Sequence, residues 1–594
     1  MSRALYTLAV IALTFAGPIP AGPLEGGPTA RSAPRLGMNL ASANHWSSSQ
    51  PFVDAIVVAD AWVSGSVGEF RDGRELALDS RGWIRRLDPG QVARMVILGE
   101  KAVRPKGLYT FTYEGLGEFR FDGAGSIVER APGRMKVKVA ERGVLLLLVS
   151  KVDPNDPLRN LQLFYPGGRC TEDIARHCSE DSECSGKRCI PFEENAREEP
   201  FHPVFLEELA PFSVIRFLDW MDANRELEDA RPFPERIEEW PTRDRRPYRP
   251  VPLELMAELA NRVKADPWLT LPPLASEEFL RDALRAFKKS LHPSRKVYVE
   301  LGNELWNDIF RQHHLMNAAG CRARAKDPAI ECDPDRDGVL CEPGPWDEMQ
   351  ARCRVYGLEE QAHRSAKLFE IAREVLGTKR VVRVLAGQFG SFSSRGGPML
   401  ETDLPGGSRL YEHVDVYAVA PYFGSKVDSK KELRDVFDTT HVHVHQAPPG
   451  TYVPIAGRSS NRFGGPLSRL ASDVRSVGAY RGLELAAYEG GPHFVGFSEE
   501  LAQEVARVNR DPRKKALYLS FLETWDRATG GALFLHYASS NTWGRHGAWG
   551  VKEYQGQPRD RAPKYDALLT HLERRRPSAA KAKPKAKPEA KTKR

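Results

Sequence analysis

The chain has 594 residues, of which 41% are hydrophobic and 28% charged, and its formal net charge is +7. That length supplies a large core and more than one domain. The positive charge belongs to the tail: residues 574–594 hold ten Lys or Arg and one Glu, leaving the body at about −2, which excludes a basic nucleic-acid-binding body.

Residues 1–21 read as a signal peptide, with Arg3 ahead of an apolar run from Ala4 to Ala16 and then small residues. The run is too short to span a bilayer, and no later run is long enough. The protein is therefore expected to be secreted, periplasmic or on the cell surface, with no transmembrane segment. Eight cysteines fall into two groups, Cys170, Cys178, Cys184, Cys189 and Cys321, Cys332, Cys341, Cys353. Even counts behind a signal peptide point to locally closed disulfides, and each group of four allows three pairings. Neither group has the paired spacing of a structural zinc site.

In chain order, Leu36-Gly-Met-Asn-Leu and the run 52–59 read as one or two opening elements of a barrel (36–63). From 64 to 166 the pattern changes to short, mostly alternating runs broken by Gly, Pro and Asp, which predicts an inserted antiparallel β-sandwich-like domain. A disulfide-stapled loop (167–199) follows. From 200 to 572, strands and helices alternate as in a parallel sheet. Ser213-Val-Ile-Arg-Phe-Leu is a strand carrying Arg216 and ending at Asp219-Trp220, and Trp268-Leu-Thr-Leu is a second. Ser276 is the N-cap of the helix after it, with Glu277 and Glu278 in its first turn.

The segment 296–307, Lys-Val-Tyr-Val-Glu-Leu-Gly-Asn-Glu-Leu-Trp-Asn, reads as a buried strand that stops at a glycine and presents Asn303, Glu304 and Trp306. A second strand end, at 483–491, presents Glu489 in Tyr-Glu-Gly-Gly. Runs beginning at Val381, Val414 and Ala532 bring the count to about eight. The fold class is α/β, a (β/α)8 TIM barrel with an inserted β-domain, and no dinucleotide or P-loop signature accompanies any strand. Carboxylates at the carboxyl ends of barrel strands are placed for chemistry, and two of them suit a glycosidase pair.

Gly-Asn-Glu-Leu-Trp-Asn after a strand, followed at barrel spacing by Tyr-Glu-Gly-Gly, resembles the clan of retaining glycoside hydrolases built on (β/α)8 barrels. The resemblance covers about 36–62 and 200–570. It implies Glu304 as acid/base, Glu489 as nucleophile, and Asn303 as a hydrogen-bond partner of the sugar 2-hydroxyl. It also implies a strand-six aromatic, Tyr422 of Ala420-Pro421-Tyr422, orienting the nucleophile. Arg216 would stand near the nucleophile and keep it ionised, or else face the barrel interior. Trp220, Trp306 and Trp543 are candidate platforms for apolar sugar faces, with a core position as the alternative for each. The chemistry needs no cofactor, and the substrate would be a poly- or oligosaccharide.

Two side constellations complete the reading. The second stapled insertion (320–354) contains Asp333, Asp335, Asp337, Gly338, Cys341 and Glu342, which resembles the small extracellular calcium-binding region called excalibur. The resemblance implies a structural calcium on Asp333, Asp335, Asp337 and Glu342. His441, His443 and His445 share one face if extended, with no evident further ligand. The tail (573–594) is low-complexity and disordered by composition, and could contact anionic envelope surfaces. Two other functions stay open: a non-catalytic carbohydrate-binding protein on this scaffold, and an envelope adhesion protein.

Overall fold

The computed structural model describes residues 35–575 apart from 67, 334–337, 345–346, 425–465, 497 and 545–546. Eight parallel strands close a TIM barrel: β1 (Leu36–Asn39), β2 (Val214–Arg216), β3 (Asp266–Leu271), β4 (Val297–Leu301), β5 (Val381–Ala386), β6 (Val416–Val419), β7 (Glu484–Ala487) and β8 (Phe534–His536). The ring closes where β1 pairs with both β2 and β8, Gly37 lying opposite Val214 and Leu535. Strands β2, β4 and β6 are buried throughout, because helices cover the outside and side chains fill the inside, which explains their continuous apolar runs.

The helices follow from their sequences. Ser276 accepts a hydrogen bond from the Phe279 N–H and opens Glu277–Ser290, which buries Phe279, Leu280, Ala283, Leu284 and Phe287 along one stripe. Glu348–Leu376 starts on an Asp347 cap and stops at Gly377, whose φ is +89°. Among the described residues no helix is long and apolar enough to cross a membrane.

Between β1 and β2 the chain leaves the barrel. Two four-stranded antiparallel sheets form there. One has the order Val63–Gly65, Val92–Leu98, Leu145–Val152, Gly117–Gly123; the other has Arg159–Phe164, Leu108–Glu114, Arg134–Val139, Gly125–Ala131. Their inward residues, among them Met95, Phe111, Val137, Leu147 and Leu163, make a second hydrophobic cluster apart from the barrel core.

The run 52–59 is not a barrel strand. Residues Ala55–Val58 form a 3-10 turn, because the Asp54 carboxylate accepts from the Ile56 N–H and also from the Leu163 N–H of the β-domain. The segment thus joins the two cores: Val57 and Val58 pack on the barrel, Ala55 and Ile56 on the sandwich.

The disulfides pair Cys170 with Cys184, Cys178 with Cys189, Cys321 with Cys332 and Cys341 with Cys353, so every cysteine is consumed within its own group. The first group staples a three-stranded sheet of Gly168–Cys170, Asp173–Cys178 and Cys189–Pro191. The second pins the intervening loop at both ends, Cys332 to the end of helix Arg311–Arg324 and Cys341 to the first turns of Glu348–Leu376.

Candidate active site

Strand β4 ends in a tight turn in which Gly302 and Glu304 both have positive φ, +63° and +44°. Glycine adopts that region freely, whereas for Glu304 it costs on the order of 1 kcal/mol, a strain that occurs where a side chain must be aimed. Glu304 Oε2 accepts from Asn307 Nδ2 at 2.8 Å, and Oε1 accepts from the Tyr488 hydroxyl at 3.0 Å. Glu489 follows β7 and is 6% exposed. Its Oε1 accepts from Arg216 Nη1 at 2.9 Å and its Oε2 from the Tyr422 hydroxyl at 2.8 Å.

Arg216, at the end of β2, is fully buried and organises the centre. Its fork makes two 3.0 Å bonds to Glu300, one from Nε to Oε2 and one from Nη2 to Oε1. Nη2 also donates to Asn303 Oδ1 at 2.7 Å, and Nη1 to Asn39 Oδ1 at 3.1 Å. The rings of Tyr488 and Trp268 flank the guanidinium at 4.9 and 5.8 Å. One buried cation therefore serves two buried carboxylates, and Trp268 Nε1 donates to Glu300 Oε2 at 2.7 Å as well. Asn303 spends one amide hydrogen on Asn224 Oδ1 at 2.7 Å.

These surroundings separate the two strand-end acids. Burial, and next the charge of Glu489, pushes Glu304 up to about 7. Burial also pushes Glu489 up, but the Arg216 guanidinium and the Tyr422 hydroxyl pull it back. Glu304 has an amide and a phenol in place of a contacting cation. The two acids thus sit in unlike surroundings: Glu489 touches a guanidinium, and Glu304 does not.

The structure thus brings Glu304, Glu489, Asn303, Arg216 and Tyr422 to one end of the barrel. Arg216 both faces the interior and touches Glu489. Two of the tryptophans are elsewhere. Trp220 is 1% exposed, donates to the Ala41 carbonyl at 3.1 Å, and packs against Phe52, Phe205 and Phe217. Trp543 is 6% exposed, donates to the Gly550 carbonyl at 3.2 Å, and lies 4.7 Å from the Lys564 amine. Both are wall residues with no free face for a sugar. Trp306 is half-buried, and its Nε1 has no hydrogen-bond partner.

Several participants escaped the sequence reading: Asn39, Glu300, Tyr488, Asp219, Tyr537, His493 and Trp549. A lone acid inside an apolar strand is the one signal Glu300 offered, since it must be paired when buried. Trp549 donates to His493 Nδ1 at 2.8 Å, and His493 lies 5.4 Å from the Tyr422 ring, so the three line one wall. Asp219 accepts from the Ser42 hydroxyl at 2.7 Å and is pushed up to about 6 by burial.

Of the suggested calcium ligands, Asp333 is buried and accepts from the Gly338 N–H at 2.9 Å, and Glu342 is exposed. Asp335 and Asp337 lie outside the described residues, as do His441, His443 and His445. The cysteine sulfurs that cluster in each group are disulfide sulfurs and are not metal ligands.

No protein-family model matches the chain, and no curated protein sequence does. Solved structures do match. A family 1 β-glucosidase from Thermotoga maritima shares 10% identity at a TM-score of 0.34, covering 62% of this chain and 85% of that one. The same enzyme in complex with a methoxycarbonyl-substituted glucoimidazole gives 11% and 0.34 with the same coverage. A fungal β-1,4-galactanase shares 10% identity at a TM-score of 0.31, covering 62% of this chain and 92% of the galactanase.

Proposed function

We propose that the protein hydrolyses glycosidic bonds of a poly- or oligosaccharide with retention at the anomeric carbon. One observation carries the reading: two carboxyl groups at the ends of β4 and β7 sit in opposite environments, Glu489 against a buried guanidinium and Glu304 near 7 with no cation in contact. Retaining hydrolysis needs that asymmetry.

In the first step a Glu489 oxygen bonds to the anomeric carbon as the bond to the leaving oxygen breaks. The Glu304 proton goes to that oxygen. In the second step Glu304, now a carboxylate, takes a proton from water, whose oxygen attacks the anomeric carbon and releases Glu489. Tyr422 and Arg216 fix the Glu489 carboxylate during both steps. Asn303 keeps a second amide hydrogen for the sugar 2-hydroxyl. These residues supply the acid, the nucleophile and the charge stabilisation themselves. Four disulfides, all local, favour an oxidising compartment outside the cytoplasm.

The test is reducing-end release from a panel of β-glucans, xylans, mannans and galactans by wild type, Glu304→Gln and Glu489→Gln, with folding checked by circular dichroism. The reading requires loss in both variants and a product that first appears, by NMR, in the substrate's own anomeric configuration. Turnover that survives both substitutions would overturn it. An inverted first product would overturn retention.

A further inference from the structure

Beside the carboxylate pair lies a cleft of about 600 Å³. Three parts of the chain line it: the loop after β1 (Ser42, Asn44, Trp46), the loop after β8 (Tyr537, Asn541, Trp549), and residues Glu100 and Lys101 of the inserted β-domain. The cleft communicates with the reacting centre through Asp219 and Tyr537. Both residues line the cleft, and the Tyr537 N–H donates to the carbonyl of Gly490, the residue after Glu489, at 3.2 Å.

The β-domain reaches this cleft through a docked turn. The Gly99 N–H donates to the His45 carbonyl at 2.7 Å, the Ala102 N–H closes a turn back onto Gly99, and the Gln50 side chain donates to the Val103 carbonyl. A Cβ on Gly99 would stand 3.4 Å from Trp46 Cα, so the two loops are in contact. Trp46 is 53% exposed, yet it is held: the Arg249 guanidinium lies 5.2 Å from its ring and His45 meets it edge-on at 4.4 Å. An indole that is fixed and open offers an apolar plate at little entropic cost.

From this juxtaposition we infer that the inserted β-domain completes a glycan subsite, in which units of a neutral oligosaccharide beyond the one being cleaved lie on Trp46 between the barrel and Glu100-Lys101. The inference rests on the glycosidase reading and deepens it. Among the polar lining groups hydroxyls and amides outnumber charges, Lys101 is matched by Glu100 and Asp219, and Arg249 beside Trp46 is paired with Asp60 at 3.6 Å, so no cation there is left over for a chain of uronates.

The experiment compares full-length wild type, Trp46→Ala and the double variant Glu100→Ser/Lys101→Ser. The probes are p-nitrophenyl β-monoglycosides, neutral β-1,4-linked gluco-, xylo-, manno- and galacto-oligosaccharides of two to six units, and oligogalacturonides. All three substituted residues are exposed, so folding is not at stake. Trp46→Ala should lower kcat/KM on long neutral oligosaccharides by about five- to tenfold while leaving monoglycosides within about twofold. The double variant should lose in the same direction. Equal losses on long and short substrates, unchanged chain-length dependence, or a preference for oligogalacturonides would each overturn the inference. A wild type that turns over none of the probes would defeat the glycosidase reading instead. Calorimetric binding of the same oligosaccharides then decides the cleft: binding weakened in Trp46→Ala sustains it, and no binding or unchanged binding overturns it.

Discussion

The hydroxyl of Tyr488 donates to Glu304 Oε1 at 3.0 Å, so the residue immediately preceding one strand-end carboxylate holds the other. Strand β7 thereby delivers Glu489 and steadies Glu304 from a single backbone turn. Because that hydrogen bond favours the charged form, it draws Glu304 down from where burial would put it.

Tyr488→Phe should therefore raise the Glu304 pKa above about 7, and activity should extend further into the alkaline range. The sign is fixed: an acid works while protonated, so a higher pKa moves the alkaline limb of kcat/KM to higher pH. A pH–rate profile of wild type and variant reads the shift directly. A limb that stays put or moves down would remove Glu304 from the role of acid.

Tyr422→Phe acts on the other limb. Without its hydroxyl, the Glu489 carboxylate loses one of the two side chains that bind its charged form, and its pKa rises. The acidic limb should move to higher pH, and kcat should fall by roughly 10- to 100-fold, the scale of losing one positioned hydrogen bond to a developing charge. The same profile measures both effects.

Glu304→Gln should discriminate between leaving groups. A good leaving group departs without a proton, so the variant should keep much of its first step on 2,4-dinitrophenyl glycosides and lose about 10²–10⁴-fold on unactivated oligosaccharides. Glu489→Gln should lose both. Single-turnover release of dinitrophenol from the two variants separates the roles.

Arg216→Met tests the buried network. It leaves Glu300 and Glu489 without their shared cation, and stability should drop by about 3–5 kcal/mol at pH 7, measured by urea unfolding. Both orphaned carboxyls would then bind protons on folding, so the loss should shrink at pH 5. A drop that is independent of pH would mean packing alone is at issue.

Lys514 offers a prediction remote from the reaction. It is fully buried, its amine has no hydrogen-bond partner, and it lies 4.0 Å from the Phe494 ring. Burial pushes its pKa down to about 7, against the attraction of Asp511, while Lys564 stands nearby with its own pKa held low. Between about pH 10 and pH 7 the unfolded chain takes up a proton that the folded chain refuses, so stability falls as pH falls through that window. Lys514→Met should reduce the slope, leaving the share that belongs to Lys564, and stabilise the protein at pH 7 by a few kcal/mol. Thermal unfolding at pH 7 and pH 9.5 measures both.

The eight strands and both catalytic candidates were legible because β4 and β7 carry their carboxylates just past apolar runs, where the chain pattern itself changes. What surrounds those carboxylates was not. Arg216 meets Glu489 across 273 residues of sequence and Glu300 across 84, and no local pattern records such pairing. Trp220, Trp543, Trp46 and Trp549 are the same residue type in the sequence; only packing decides which indole is wall and which is open. The run 52–59 read as part of the barrel's opening from its apolar residues, yet Asp54 bends it by capping a turn and reaching Leu163. The disulfide partners were one choice among several until the loops had a shape.

Asn39 gives the barrel seam a further meaning. Its amide donates to the Tyr488 carbonyl at 2.9 Å and the His536 carbonyl at 3.2 Å, across 449 and 497 residues, and its oxygen receives Arg216. The first strand thus waits for nearly the whole chain to arrive before the site around Arg216 is complete. Contacts of such range are slow to form. A nascent chain that lacks β8 already carries both glutamates but not the His536 carbonyl that helps hold Asn39, so the last barrel strand completes the network around Arg216.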